Sequence, residues 1–263
     1  MSGPLLALRD VTVGFGGVTV LDGITLDVGR GEIRGLIGPN GAGKTTLLNV
    51  VCGIHPPHRG DVLLDGKSIV GRKPSAIAAQ GLGRTFQTSQ LFRGMTVLEN
   101  LMTGLHRRTR TGLLGAAFNL GSYRAEEEQA EAEARKALEF IGMAEFADRP
   151  GTALSFGQQR VIEIARTLIG DPKVVLLDEP AVGLSLNRLA EFDRLLRRIR
   201  DEKGVTLILI EHVIRLVMDV CDRVTVLSTG RVIADGTPDA VRNDPDVIEA
   251  YLGKELRARH TAS

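Results

Sequence analysis

"EIRGLIGPNGAGKTTLLNVVCG", residues 32–53, decides the fold. Its opening "EIRGLIG" is an apolar run bounded by turn residues and reads as a buried strand. That strand passes without a linker into "GPNGAGKT", Gly38 to Thr45, which satisfies G-x-x-x-x-G-K-[ST] at every fixed position and leads into a helix. The glycines let the loop turn tightly, so that backbone N–H groups point inward at a phosphate, and the helix N-terminus adds its positive dipole end. Lys44 is placed to bridge β and γ phosphates, and the Thr45 hydroxyl suits Mg²⁺, a hard cation with oxygen ligands. The candidate phosphate cradle is therefore Gly38, Pro39, Asn40, Gly41, Ala42, Gly43, Lys44, Thr45 and Thr46.

Outward from this stretch, the pattern is that of an α/β protein. Alternation in "LLALRDVTV" and "TVLDGITLDV" predicts two N-terminal strands joined by the turn Gly14 to Gly17. "DVLLDG" and "GLGRTFQ" read as short strands, and "KVVLLDE", "VTLILIE", "DRVTVLS" and "GRVIADG" as later ones, with helices from Gly157, from Asn187 and from Val213 between them. Strands alternating with helices imply a mostly parallel sheet covered on both faces. Between Gln87 and Leu154 strand signals vanish and a charged helical pattern, "RAEEEQAEAEARKALEFIG", takes over, which predicts an inserted helical lobe. The irregular segment 104–123 carries His106, Arg107, Arg108 and Arg110, and reads equally as a solvated loop or a partner contact.

Composition narrows the chemistry. With 33 Lys and Arg against 32 Asp and Glu the formal net charge is +1, which offers no long-range attraction for nucleic acid. Cys52 and Cys221 lie far apart without further thiols or histidines at ligand spacing, so they read as buried reduced thiols. No apolar run reaches the roughly 18 residues of a membrane span, and the N-terminus lacks a signal-peptide pattern.

Four further places carry polar groups that a core would not need. "VVLLDEP" puts Asp178 and Glu179 at the carboxyl end of a buried strand, Asp178 to hold Mg²⁺ and Glu179, pointing the other way, to polarise a water attacking the γ-phosphate. His212 follows "TLILIE" in the same manner, and Gln87 ends "GRTFQ", where its amide would reach Mg²⁺ or the attacking water. "LSFGQQR", residues 154–160, opens a helix with a hydroxyl, a glycine and two amides, a puzzle on chemistry alone.

Taken in order, "GPNGAGKT", "TFQ", "LSFGQ", "VVLLDE" and "IEH" resemble the Walker A, Q-loop, signature, Walker B and H-loop of the ATP-binding subunits of ABC transporters, over nearly the whole chain. The resemblance implies a P-loop NTPase core with an N-terminal antiparallel β subdomain and a helical subdomain: one domain over residues 1–253, with core parts 1–87 and 155–253, helices at about 88–154 and a tail at 254–263. It implies that Phe15 stacks on adenine, where the residue alone reads as a buried core Phe. It also implies a role for the signature: two subunits pack head to tail, and Ser155, Gly157 and Gln158 of each meet the γ-phosphate held by the other, ATP acting as glue. "GRTFQTSQLFRGMTVLENL" and "GTPDAVRNDPDVIEAYLG" are most similar to LivG-type ATPases of branched-chain amino acid uptake. Such systems imply a second, LivF-like ATPase or a second copy, two permease chains and an extracytoplasmic binding protein, with the ATPase on the inner membrane face. The same machine serves lipopolysaccharide export; a soluble ABC ATPase and a P-loop kinase are the more distant alternatives. One position departs from the pattern: Ser185 stands where the D-loop usually has Asp or Asn, which weakens the implied contact across the dimer.

Overall fold

The computed structural model describes residues 3–85, 91–105 and 120–251. Gln87, most of the basic irregular segment and the 254–263 tail lie outside the described residues. In chain order the elements are β1 (Leu6–Phe15), β2 (Val18–Val28), β3 (Ile33–Ile37), α1 (Lys44–Val51), β4 (Arg59–Leu64), β5 (Lys67–Ser68), α2 (Pro74–Ala79) and β6 (Leu82–Arg84). The helices α3 (Val97–Met102), α4 (Leu120–Phe140) and α5 (Phe156–Leu168) follow. The chain then returns as β7 (Val174–Asp178), α6 (Leu186–Lys203), β8 (Thr206–Ile210), α7 (Ile214–Val220), β9 (Arg223–Ser228), β10 (Arg231–Gly236) and α8 (Pro238–Arg242). It divides into two compact units, Met1–Arg84 with Lys173–Ser263, and Thr85–Pro172.

The first unit holds two sheets. One is antiparallel in the order β2-β1-β4-β5; the other runs β10-β9-β3-β8-β7-β6, parallel except for the edge strand β10. Residues explain the difference. All five positions of β3, β7 and β8 are buried, as expected for strands covered on both faces, whereas the later half of β2 alternates exposed and buried. Helix α1 contributes Leu47, Leu48, Val50 and Val51 to a core shared with Leu6 and Leu8 of one sheet and Leu36 of the other, so the helix that follows the glycine-rich loop is anchored between them. Each such side chain contributes about 1.5–3 kcal/mol through burial. Arg34, the charge inside β3, is 2% exposed and fully engaged: it donates to Glu32, Thr225 and Asp235, and to the Asp27 carbonyl of β2, tying one sheet to the other.

Strand β8 lies between β3 and β7. The acids ending β7 are therefore one strand removed from the phosphate-loop strand, and the strand before His212 stands between them.

The second unit is helical. Val97, Leu101, Ala134, Leu138, Ile162 and Ala165 of α3, α4 and α5 form its core, and Asn100, wholly buried, accepts from the Phe92 N–H and donates to the Thr96 carbonyl. This unit extends to Pro172 and takes in α5, whereas the sequence pattern places the boundary at 154. The reason is local: the apolar stripe of α5, with Ile162 and Ala165, packs on α3 and α4, and its helical period alone does not say which body it covers.

Candidate nucleotide site

The loop after β3 is shaped by what surrounds it. Gly38 has φ +152°, and a Cβ there would fall 2.1 Å from the Leu227 carbonyl oxygen; Gly43, at φ +103°, would meet Leu21 at 2.7 Å. No side chain fits at either place. Gly43 occupies the N-cap of α1 and brings no side-chain cap, so no cap side chain competes with an anion at the start of that helix. The Gly230 N–H donates to the Ala42 carbonyl (3.1 Å) and the Asp22 N–H to the Gly230 carbonyl (2.9 Å), bracing the loop from β2 and the β9–β10 turn. Lys44 Nζ donates to the carbonyls of Gly38 (2.6 Å) and Pro39 (3.2 Å), Thr45 is exposed, and Thr46 is half-buried. Asn40 and Gly41 are exposed, Pro39 is half-buried, and Ala42 is 1% exposed.

Parallel strands deliver the remaining groups to the same sheet edge. Asp178 ends β7, 7% exposed, and its Oδ2 accepts from Arg84 Nη2 at 3.2 Å. Arg84 Nη1 in turn donates to Asn49 Oδ1 at 2.8 Å. Asn49 lies four residues after Thr45 on α1, on the same helix face. Arg84 thus joins the helix that carries Thr45 to the strand that carries Asp178. Sequence reasoning gives neither Arg84, which lies in "GRTFQ", nor Asn49 a role. Burial pushes the nearby Cys52 thiol up, while Arg84 pulls it down.

Glu179 leaves the strand in a left-handed conformation, φ +48°, with its N–H donating to the Ile210 carbonyl at 2.9 Å. Strand alternation is therefore not what orients it: the chain turns at Glu179 itself. Such a backbone on a non-glycine residue costs about 1–3 kcal/mol and is retained where surroundings enforce it. Its Oε1 lies 3.8 Å from Nδ1 of His212, so these two candidates are brought together, an ion pair when the imidazole is protonated. Glu211, which no sequence motif singles out, is 1% exposed; its carboxylate accepts from the N–H groups of Ala181 (2.6 Å), His212 (3.2 Å) and Val213 (3.4 Å). Burial raises its pKa, with those N–H groups opposing.

Phe15 ends β1 with 48% exposure and meets His55 edge-on at 5.4 Å between ring centroids. It is a platform at the surface, not core.

The signature residues lie in the helical unit. Ser155 is the N-cap of α5 and forms a capping box: the Gln158 N–H donates to Ser155 Oγ (3.4 Å), and the Ser155 N–H to Gln158 Oε1 (2.9 Å). Gly157 is half-buried, and Arg160 lies over the Phe156 ring at 5.0 Å. The S-x-x-Q spacing already carried this signal. Ser185 is the N-cap of α6, exposed, and its hydroxyl makes no cap bond.

The glycine-shaped loop, the strand-end acids and the helix-opening "LSFGQ" fall within or beside matched family segments. Residues 21–182 match the family described as ABC transporter, and residues 231–256 the one described as branched-chain amino acid ATP-binding cassette transporter. This chain belongs to the ABC transporter family. The cassette is 42% identical, over 97% of its own length and all of the other, to the high-affinity branched-chain amino acid transport ATP-binding protein LivG of Escherichia coli K12. It is 41% identical, with the same coverage, to the corresponding protein BraF of Pseudomonas aeruginosa. Its fold matches the ADP conformation of an ATP-binding cassette of an ABC transporter with a TM-score of 0.82, at 34% identity over 95% of this chain and 98% of that one. As an ABC cassette, the chain binds ATP and is an ATPase. Among the described residues no helix is long and apolar enough to cross a membrane.

Proposed function

We propose that this cassette is the ATP-hydrolysing subunit of a branched-chain amino acid importer. The observation that carries the catalytic assignment is the convergence of the Gly38–Thr46 loop, Asp178, Glu179 and His212 on the carboxyl edge of one sheet. Support for the cargo class comes from the 231–256 match and from relatives named for that transport and aligned over 97% of the chain.

In this reading the loop N–H groups and Lys44 hold the phosphates, Phe15 stacks on adenine, and Glu179 takes a proton from the attacking water, with His212 on the same side contacting the γ-phosphate. Thr45 and Asp178 present hard oxygen donors, a set that fits Mg²⁺, which when bound would neutralise charge on the β- and γ-phosphates. Gln87 would help hold Mg²⁺ when bound, or orient the attacking water. Ser155, Gly157 and Gln158 belong to the second half of the site: the α5 N-terminus is offered to a nucleotide held by another cassette, either a copy or a LivF-like chain, packed head to tail. Two permease chains, an extracytoplasmic binding protein and a place on the inner membrane face complete the assembly. Nucleic acid has no role in it. Residues 1–253 act as one ATPase domain, followed by the 254–263 tail.

The test is to extract the complex gently, identify its other chains and reconstitute it in proteoliposomes. Leucine, isoleucine or valine presented with the binding protein is expected to raise ATP hydrolysis and enter the vesicles. Stimulation by an unrelated solute alone, or partners of an export system, would overturn the cargo assignment.

A further inference from the structure

We infer that Glu211 is a positioning residue that sets the separation of Glu179 and His212, one carboxylate oxygen holding the loop of each. The inference rests on the roles just given to that pair. Oε1 accepts from the N–H of Ala181, two residues beyond Glu179, and Oε2 accepts from the N–H groups of His212 and Val213. On the Glu179 side the path is short and braced again: the Glu179 N–H donates to Ile210, the residue before Glu211, and the Leu184 N–H to the Ala181 carbonyl. The 3.8 Å approach of Glu179 Oε1 to His212 Nδ1 is thus bounded on both sides by one buried side chain.

The chemistry asks for a carboxylate. A fully buried charge is costly, and a neutral residue would be preferred wherever it satisfied the same N–H groups. Glutamine cannot: one of its terminal atoms accepts, while the other is an NH₂ donor that would face a donor. Only an ionised carboxyl accepts at both oxygens at once, which is what the N–H groups of Ala181 on one oxygen and of His212 and Val213 on the other require. The loop beyond Ala181 leads to Ser185, so the same carboxylate anchors the start of the D-loop turn.

The parent is compared with Glu211→Gln, Glu211→Asp, Glu179→Gln and His212→Ala, measuring steady-state ATP hydrolysis in the complex assembled with its partner chains, and fluorescent-ATP affinity and thermal midpoint on the full-length chain. In Glu211→Gln kcat is expected to fall by roughly ten- to a hundredfold, as for a small misplacement of reacting groups, while KM and ATP affinity stay within about twofold. Glu211→Asp keeps two acceptor oxygens on a shorter stem and is expected to fall less, a partial rescue. Wild-type kcat in Glu211→Gln overturns the inference, as does a parallel loss of kcat, ATP affinity and thermal midpoint, which would mark Glu211 as support for the fold alone. Should Glu211→Gln not fold, Glu211→Asp decides: reduced kcat with intact affinity upholds the inference and unchanged kcat overturns it. Full turnover in both Glu179→Gln and His212→Ala brings down the assigned roles and the inference with them; loss there beside wild-type Glu211→Gln brings down the inference alone.

Discussion

Arg84 and Asp178 form an ion pair at 3.2 Å with side chains only 11% and 9% exposed, so the carboxylate assigned to Mg²⁺ already has a cation beside it. Removing one partner of a buried pair leaves the other charge uncompensated, at a cost of about 3–5 kcal/mol. Arg84→Met should therefore lower the thermal midpoint of the nucleotide-free chain. Mg²⁺·ATP brings positive charge to the same carboxylate, so the rise in midpoint on adding it should be larger in Arg84→Met than in the parent. Differential scanning fluorimetry with ATP in EDTA and with Mg²⁺·ATP checks both; equal Mg²⁺-dependent rises would mean Asp178 and the ion do not meet.

Ser155 has one role within its own helix and another proposed toward a partner, and a single substitution separates them. Aspartate is as good an N-cap as serine, whereas alanine costs about 1 kcal/mol. Ser155→Asp should keep the stability of the helical unit while placing negative charge where a partner's γ-phosphate is expected. ATP binding to the single chain should be unchanged, and turnover of the assembled complex should be lost. Ser155→Ala should lower the midpoint and reduce turnover by less than the aspartate does, since it removes a hydroxyl contact without adding a charge. Loss of single-chain ATP binding in Ser155→Asp would mean that the signature serves its own site.

What is legible in the sequence is what is local in the chain. The strand, loop and helix of residues 32–53 are contiguous, and their turn chemistry admits few alternatives, so residue types alone suffice to place the phosphate loop. The capping box at Ser155 and Gln158 is equally local, but the polar groups of "LSFGQQR" draw attention before their spacing does. Arg84, Asn49 and Glu211 escape because their partners lie far along the chain: 94 residues separate Arg84 from Asp178, and 30 separate Ala181 from Glu211. Nothing in "GRTFQ" or "LILIEH" says that their charged residues meet a helix or a loop from elsewhere. Phe15 is the converse case: its neighbours alternate as in a half-buried strand, and only the end of β1 at the hairpin exposes its ring.

Asp65 offers a test by pH. Hydrogen bonds from Lys173 Nζ and Arg30 Nη2 hold its carboxyl down to about 2, from an ordinary value of 3.8. A carboxyl depressed in the fold contributes stability that is fully present above the unfolded value and is lost as pH falls through the folded one. Asp65→Asn should lower the urea midpoint at pH 7 by an amount that stays constant down to about pH 5, since both states are ionised there. The difference should close between about 3.8 and 2. Urea titrations of both proteins at stepped pH check it; a gap that does not change across that window would mean the ion pairs are not what Asp65 provides.

At Glu179 stability and chemistry pull in opposite directions. Its left-handed φ of +48° is strained for any residue with a Cβ, and glycine adopts it freely. Against that, glycine gains more conformational entropy in the unfolded chain, so relief of strain and loss of entropy offset in part. Glu179→Gly should then fold with a midpoint equal to or above the parent's, bind ATP as well, and hydrolyse it far more slowly. Glu179→Gln keeps the strain and the shape, removes only the base, and should match the glycine variant in turnover while retaining the parent's midpoint. Paired melting curves and single-turnover assays separate the two effects. A glycine variant that is clearly less stable would mean that the Glu179 side chain itself supports the fold; turnover near the parent's in either variant would take Glu179 out of the reaction, and leave its strained backbone without a chemical reason.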